Sequence, residues 1–161
     1  HVSFDPGIPG EPVKVIFEDK DITSLVRTEE IAKLTSDLAA EPIIRDFIKP
    51  CQRDFMQAPG LIADGRDMGT VVFPDADLQI FMTANVDERA RRRYNQLKKK
   101  GIYASLADLS RDIKERDERD VTREQSPLKP SQAAVILDTT AMSIEEVTDK
   151  VKILVRKRGL T

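Results

Sequence analysis

The chain has 161 residues, which suits one domain with a small insertion and allows a sizeable core. Its formal net charge is −2, so there is no global electrostatic case for a nucleic acid or a membrane surface as partner. A single cysteine excludes an internal disulfide and is compatible with a reducing compartment, and no run of about 18 apolar residues occurs. We therefore expect a cytoplasmic protein that binds neither nucleic acid nor membrane.

The N-terminal part of the chain predicts short strands followed by two helices. The candidate strands are residues 1–4, 13–17 and 22–26, with a turn-rich DPGIPGEP between the first two. Thr28 can cap a first helix, in which apolar residues recur at helical spacing. Pro42 suits the first turn of a second helix, which we expect to be kinked at Pro50 and to end before Gly60.

The rest of the chain alternates strands with helices. Short apolar runs predict buried strands at residues 61–64, 78–84 and 134–137. Charged amphipathic segments predict helices at residues 87–99, 105–123 and 144–157, the last opened by a capping box of Ser143 and Glu146. Strand–helix alternation with apolar strands implies a parallel sheet covered by helices on both faces.

The segment GLIADGRDMGTVVFP, residues 60–74, brings charges onto a glycine turn directly after the first of these strands. Ligands of open parallel sheets bind beyond the carboxyl ends of the strands, where this turn would lie. Arg66 offers a planar donor fork suited to phosphate, and an ionised Asp67 offers acceptors. The pair could hold a nucleotide. A solvated turn with a local arginine–aspartate pair is the alternative, and these residues alone do not separate the two.

Two further charged clusters follow. In KERDERDVTR, residues 114–123, helical spacing would place Arg116, Asp120 and Arg123 on one face, and an exposed salt-bridged helix is the alternative. The basic run of residues 89–100 could be a nucleic-acid patch, a solvated face or a phosphate-binding lid. It contains a single aromatic residue, Tyr94, so stacking on bases is weakly supported.

These segments together resemble the bacterial cytidylate kinases. DGRDMGTVVFPDADLQIF, ERARRR, KERDERDVTRE and VILDTTAMSIEEV occur in the order and at the separation of that family, over essentially the whole chain. The resemblance implies an α/β fold of the P-loop nucleoside monophosphate kinase type, with a parallel sheet covered by helices. Residues 1–60 would be the monophosphate-binding insert, residues 61–90 and 124–161 the α/β core, and residues 91–123 a helical lid.

The resemblance also implies an activity and a set of contacts. The enzyme would transfer the terminal phosphoryl of ATP to CMP or dCMP, and Mg²⁺ would arrive with ATP because no cluster in the chain has metal-ligand spacing. Cytosine would contact Ser36, Arg45 and Asp67, the monophosphate Arg66 and Arg123, the ribose Arg116 and Asp120, and the lid would add Arg92 and Arg119 as phosphate contacts.

A carboxylate at Asp67 can accept a hydrogen bond from the exocyclic amine of cytosine, which uracil lacks. Arg66, Asp67 and Arg123 are the residues that we expect to act in catalysis. No general base is assigned, because the CMP phosphate is already an anionic nucleophile. For Ser36 the alternative is a tolerated polar residue of a helix, and for Arg45 a surface arginine that packs its stem on apolar neighbours.

The sequence departs from the family pattern at one point, since no G-x-x-x-x-G-K-[ST] loop occurs in it. The resemblance implies such a loop upstream of residue 1, so we expect the ATP site to lie largely outside this chain and the chain alone to be inactive. We also expect exposed sheet edges at residues 61–63 and 78–84 that favour self-association, with a monomeric full-length form. A non-catalytic nucleotide-binding module, or a nucleic-acid-binding domain that uses the basic 89–100 helix, remains an alternative.

Overall fold

A computed structural model describes residues 2–8, 13–39, 41–99, 101–122 and 128–160. The chain divides into two compact units, His1–Pro50 and Cys51–Thr161, and the division falls inside a helix. None of the described helices is long and apolar enough to cross a membrane. The insert, core and lid expected from the sequence stay predictions.

The first unit contains a small antiparallel sheet. Strands β1 (Val2–Asp5), β2 (Lys14–Phe17) and β3 (Lys20–Asp21) are neighbours in chain order. The strands predicted at residues 1–4 and 13–17 are confirmed over residues 2–4 and 14–17, and His1 lies outside the described residues. The predicted strand at residues 22–26 is wrong, because the chain forms a 3₁₀ turn at Leu25–Arg27 instead. The carboxylate of Asp21 accepts from the N–H of Thr23 at 2.9 Å, a local turn that competes with continued strand structure.

Two helices complete this unit. Helix α1 (Glu29–Leu38) begins after Thr28, whose hydroxyl accepts from the N–H of Ile31 at 3.3 Å, so the predicted cap is confirmed. Helix α2 (Pro42–Arg53) has Pro42 at its first position, as expected, and contains Pro50.

The second unit is built on a parallel strand pair. Strand β4 (Ile80–Thr83) pairs with β5 (Val135–Asp138) in parallel, from Ile80 opposite Val135 to Thr83 opposite Asp138. The connection between them contains helices α3 (Val86–Lys99) and α4 (Leu106–Thr122), which pack against each other. Helix α5 (Ile144–Lys157) follows β5 and begins with the predicted capping box, in which Ser143 and Glu146 bond to each other's main-chain N–H groups. The parallel α/β character predicted from the sequence is confirmed.

The predicted buried strand at residues 61–64 is wrong. This segment is extended but unpaired within the described chain, and Ile62 is 99% exposed. An apolar run becomes a strand only when a neighbour accepts its backbone hydrogen bonds, and no described strand lies beside it. The described parallel sheet therefore has two strands. The buried apolar side chains among the described residues are Leu137 of β5, Ala90 of α3 and Val72.

Candidate functional site

The charged glycine turn of the second unit folds into one π-helical turn, Met68–Val72. The main-chain carbonyl of Asp67 accepts hydrogen bonds from the N–H groups of Val71, at 2.9 Å, and of Thr70 and Val72, each at 3.3 Å. Single π turns are found frequently at functional sites. Here the shared carbonyl fixes the backbone at Asp67, and with it the direction in which this residue and its neighbour Arg66 leave the chain.

Arg53, at the end of α2, holds the far end of this turn. Its Nε donates to the carbonyl of Val72 at 2.7 Å, and its Nη2 donates to that of Val71 at 3.2 Å. These carbonyls lie at the end of the π turn, where main-chain acceptors are left without helical partners. Arg53 could not be selected from the sequence, because nothing in its local pattern distinguishes it from an ordinary basic residue in the last turn of a helix.

The buried side chain of Gln79 supports the turn from the other side. Its Nε2 donates to the carbonyl of Pro74 at 2.7 Å, and its Oε1 accepts from the hydroxyl of Ser131. A Cβ on Gly69 would lie 2.7 Å from that Oε1, so any larger residue at this position would have to displace the hydrogen-bonded amide of Gln79. In the sequence, Gln79 is a polar residue inside the predicted strand at residues 78–84, and in the structure it directly precedes β4.

Arg66 reaches from this turn to the end of α4. Its Nη1 donates to Oδ2 of Asp120, a buried carboxylate in the last turn of that helix. The Nε of Arg116 lies 4.0 Å from the same oxygen. The structure thus brings together three residues that the sequence analysis selected, from two segments of the chain.

A second carboxylate on α4 belongs to the same group of charges. Asp117 receives a two-pronged contact from Arg89 of α3, with Nη1 to Oδ1 at 2.8 Å and Nη2 to Oδ2 at 2.5 Å. This hydrogen bonding is the main cause that lowers the pKa of Asp117, and the charges of Arg89, Arg66 and Arg116 lower it further. The same pairing raises the pKa of Arg89.

We refer to Arg66, Arg89, Arg116, Asp117 and Asp120 as the arginine–aspartate cluster. Its three arginines and two carboxylates leave one formal positive charge. Arginine forks match the oxygens of phosphate, and a buried carboxylate can accept from a sugar hydroxyl. The cluster therefore has the chemistry to hold a phosphorylated sugar. The sequence analysis did not select Arg89 and Asp117.

The other selected residues lie elsewhere or outside the described parts. Arg119 is exposed on α4, and its Nε donates to the carbonyl of Glu115 at 3.3 Å. Arg123 falls in the undescribed residues 123–127. Ser36 and Arg45 belong to the first unit, where Arg45 Nη1 donates to the carbonyl of Ala39 at 2.9 Å. Of Ser36 the structure describes the backbone, within α1.

Arg92 joins α3 to the loop after β5. Its Nε donates to Glu88 at 2.8 Å, and its Nη atoms donate to the hydroxyl of Thr139 at 3.1 Å and to the carbonyl of Met142 at 3.3 Å. Arg91 also pairs with Glu88. The hydrogen bonds from Arg91 and from Arg92 lower the pKa of the Glu88 carboxylate. In the structure Arg92 therefore connects α3 to the loop that follows β5. Its predicted contact with phosphate would require it to leave these partners.

The loop that Arg92 holds is itself polar and ordered by hydrogen bonds. Thr139 is buried, and its hydroxyl donates to the carbonyl of Thr83 at 3.0 Å, which ties the carboxyl ends of β4 and β5 together. The side chain of Thr140 and its N–H, at 2.8 Å, both hydrogen-bond to the carboxylate of Asp138, and these bonds lower the pKa of Asp138. The sequence analysis gave no role to this DTT triplet, although a polar triplet directly after a buried strand is a usable signal.

A parallel α/β unit that gathers arginines around a buried carboxylate is typical of proteins that bind phosphorylated ligands. A model of the family described as cytidylate kinase matches residues 2–157. The cytidylate kinase of Coxiella burnetii is 50% identical over 159 residues, which cover 99% of this chain and 67% of that protein. That of Pseudomonas putida is 48% identical over 159 residues, covering 99% and 70%.

The cytidylate kinase of Pseudomonas aeruginosa is 52% identical over 138 residues, which cover 86% of this chain and 60% of that protein. The chain thus spans about two thirds of the length of the relatives it matches. The chain belongs to the cytidylate kinase family, a family of phosphotransferases. The resemblance drawn from DGRDMGT and KERDERD is confirmed.

Proposed function

We propose that this chain carries the acceptor side of a cytidylate kinase, which transfers the terminal phosphoryl of ATP to CMP or dCMP and releases ADP. The observation that supports this most is the contact of Arg66 with Asp120, across 54 residues of sequence. It joins a predicted phosphate contact to a predicted ribose contact inside one cluster. The proposed setting is the cytoplasm, with the full-length protein as a monomer.

The cluster can bind a nucleoside monophosphate through groups that are already close together. Arg66 presents a planar fork of N–H donors, which suits phosphate oxygens, and it already lies against Asp120. Asp120 can accept from a ribose hydroxyl while Arg116 donates to one. The net positive charge of the cluster favours the dianionic phosphate, and the partly buried position reduces screening by salt.

Cytosine recognition is assigned to Asp67, with Ser36 and Arg45 as proposed donors to the ring acceptors. Uracil would present a carbonyl oxygen to the carboxylate of Asp67 and leave a polar group unpaired. Such a loss costs about 1–3 kcal/mol, which corresponds to roughly a 5- to 150-fold weaker affinity.

In the proposed reaction the CMP phosphate attacks the terminal phosphorus of ATP, and the bond to the bridging oxygen breaks to give CDP and ADP. Catalysis of this kind rests on positioning and on stabilisation of charge. Arg66 would hold the attacking phosphate, and Arg123, Arg92 and Arg119 are proposed to add donors as the lid closes. ATP would bring Mg²⁺, which neutralises charge on the transferred group.

The proposal is tested by calorimetric titration of this chain with CMP and, separately, with UMP. We expect CMP to bind at least fivefold more tightly than UMP. Asp67→Asn should remove most of this preference, while Asp77→Asn, at an exposed aspartate outside the cluster, should keep it. Equal affinity for CMP and UMP in a folded chain would refute the assignment of the cytosine site.

A further inference from the structure

The pair of Arg89 and Asp117 joins the first turn of α3 to the last turns of α4. Both side chains are about one-third exposed, at 34% and 28%, so the pair is shielded from water in part. The Nε of Arg89 is buried and has no hydrogen-bond partner among the described residues, so the two Nη atoms make the whole contact. A planar fork on a planar carboxylate fixes direction as well as distance.

The position of Asp117 on α4 gives this contact its importance. Asp117 lies three residues before Asp120, so these two residues share one side of the helix. Asp117 also directly follows Arg116 in the chain. Each residue of an α-helix turns the chain by about 100°, so a small rotation of α4 about its axis moves Asp120 away from Arg66. A two-pronged bond at Asp117 resists that rotation.

The pair also sets the charge of the cluster. Asp117 lies near enough to Arg66 and Arg116 for both to lower its pKa, so it could compete with Asp120 for them. Arg89 occupies both oxygens of Asp117, while Asp120 accepts a hydrogen bond from Arg66. Without Arg89, two arginines would face two carboxylates, and the formal positive charge that favours a phosphate would be lost.

We propose that Arg89 and Asp117 are positioning residues of the acceptor site, which hold α4 so that Asp120 and Arg116 meet Arg66 and the ligand. This inference rests on the proposed function for the identity of the ligand. The arrangement of the side chains that it describes does not depend on the ligand. The competing explanation is that the pair only stabilises the helical hairpin of α3 and α4.

A double-mutant cycle separates these two explanations. Asp117→Asn should weaken CMP binding about tenfold, because the two-pronged contact that holds α4 is lost, and this loss outweighs the one formal positive charge that the change adds to the cluster. In an Asp120→Asn background the same change should cost less than twofold, because the residue through which Asp117 acts is already altered. An equal loss in both backgrounds would overturn the proposal. Asp108→Asn is the matched control, because it removes an exposed pair with Arg111 on the same helix.

A ligand-free measurement keeps this test distinct from that of the proposed function. The Nε–H signal of Arg66 in a nitrogen-15 correlation spectrum should shift in Asp117→Asn and stay in place in Asp108→Asn. If Asp117→Asn does not fold, Arg89→Lys, which keeps the charge and removes the fork, serves instead. An unchanged Arg66 signal would overturn the positioning role. Absence of CMP binding by the wild-type chain, together with a shifted Arg66 signal, would instead refute the proposed ligand.

Discussion

Asp120→Asn should destabilise the second unit measurably. The Asp120 side chain is 7% exposed, whereas its partners Arg66 and Arg116 are 35% and 50% exposed. Breaking a fully buried ion pair costs about 3–5 kcal/mol, and breaking an exposed one costs about 0–1 kcal/mol. Here the carboxylate is buried but both arginines can reach water, and asparagine still offers Arg66 an acceptor. We therefore expect the free energy of unfolding to fall by about 1–2 kcal/mol.

Urea denaturation followed by tyrosine fluorescence measures this change in the free energy of unfolding of the second unit. The chain has two tyrosines and no tryptophan, and both Tyr94 and Tyr103 lie in the second unit. Asp108→Asn breaks a pair whose side chains are 63% and 55% exposed, so it should cost less than about 0.5 kcal/mol. If Asp120→Asn cost no more than this control at an unchanged denaturant slope, the reasoning from burial would be refuted.

Two further predictions concern stability. Gly69→Ala should lower the free energy of unfolding by about 1–3 kcal/mol, because its Cβ would lie 2.7 Å from the Oε1 of Gln79. The same change in a Gln79→Ala background should cost less, and an equal cost in both backgrounds would argue against this contact as the cause. The lowered pKa of Asp117 means that its contribution to stability is present above its ordinary value of 3.8 and is lost as the pH falls through the folded-state pKa. Denaturation at a series of pH values should therefore show the wild type and Asp117→Asn converging below about pH 4, and a difference that persists in acid would contradict the assignment.

The helices were the most predictable part of the fold because their signals are local. Thr28 and the Ser143–Glu146 capping box both make the hydrogen bonds that their sequence pattern predicts. Strands depend on a neighbour, so the apolar run at residues 61–64 was misleading: its composition is that of a buried strand, but it has no described partner.

The site shows the same division between local and tertiary information. The family resemblance selected Arg66, Arg116 and Asp120, and the structure brings them together. From the residues alone, the charged face of α4 could equally have been a solvated helix. Arg89 could not be found this way, because its partner Asp117 lies 28 residues away on another helix, and only the packing of α3 on α4 makes them neighbours.

The same limit applies to the basic run on α3. Its sequence left open a nucleic-acid patch, a solvated face or a lid. In the structure Arg89, Arg91 and Arg92 all bond to acidic groups within the chain. Arginines with such internal partners are less available to an external polyanion, because binding would have to break these contacts first. Charge density along a sequence does not reveal this pairing, which depends on where the carboxylates lie.

The most direct test of the central claim is the paired titration of this chain with CMP and UMP, extended to Arg66→Gln. We expect CMP to bind at least fivefold more tightly than UMP, and we expect Arg66→Gln to weaken CMP binding at least tenfold in a chain that remains folded. CMP binding that is unchanged by Arg66→Gln, or that does not exceed UMP binding, would contradict the placement of a cytidylate site at the arginine–aspartate cluster.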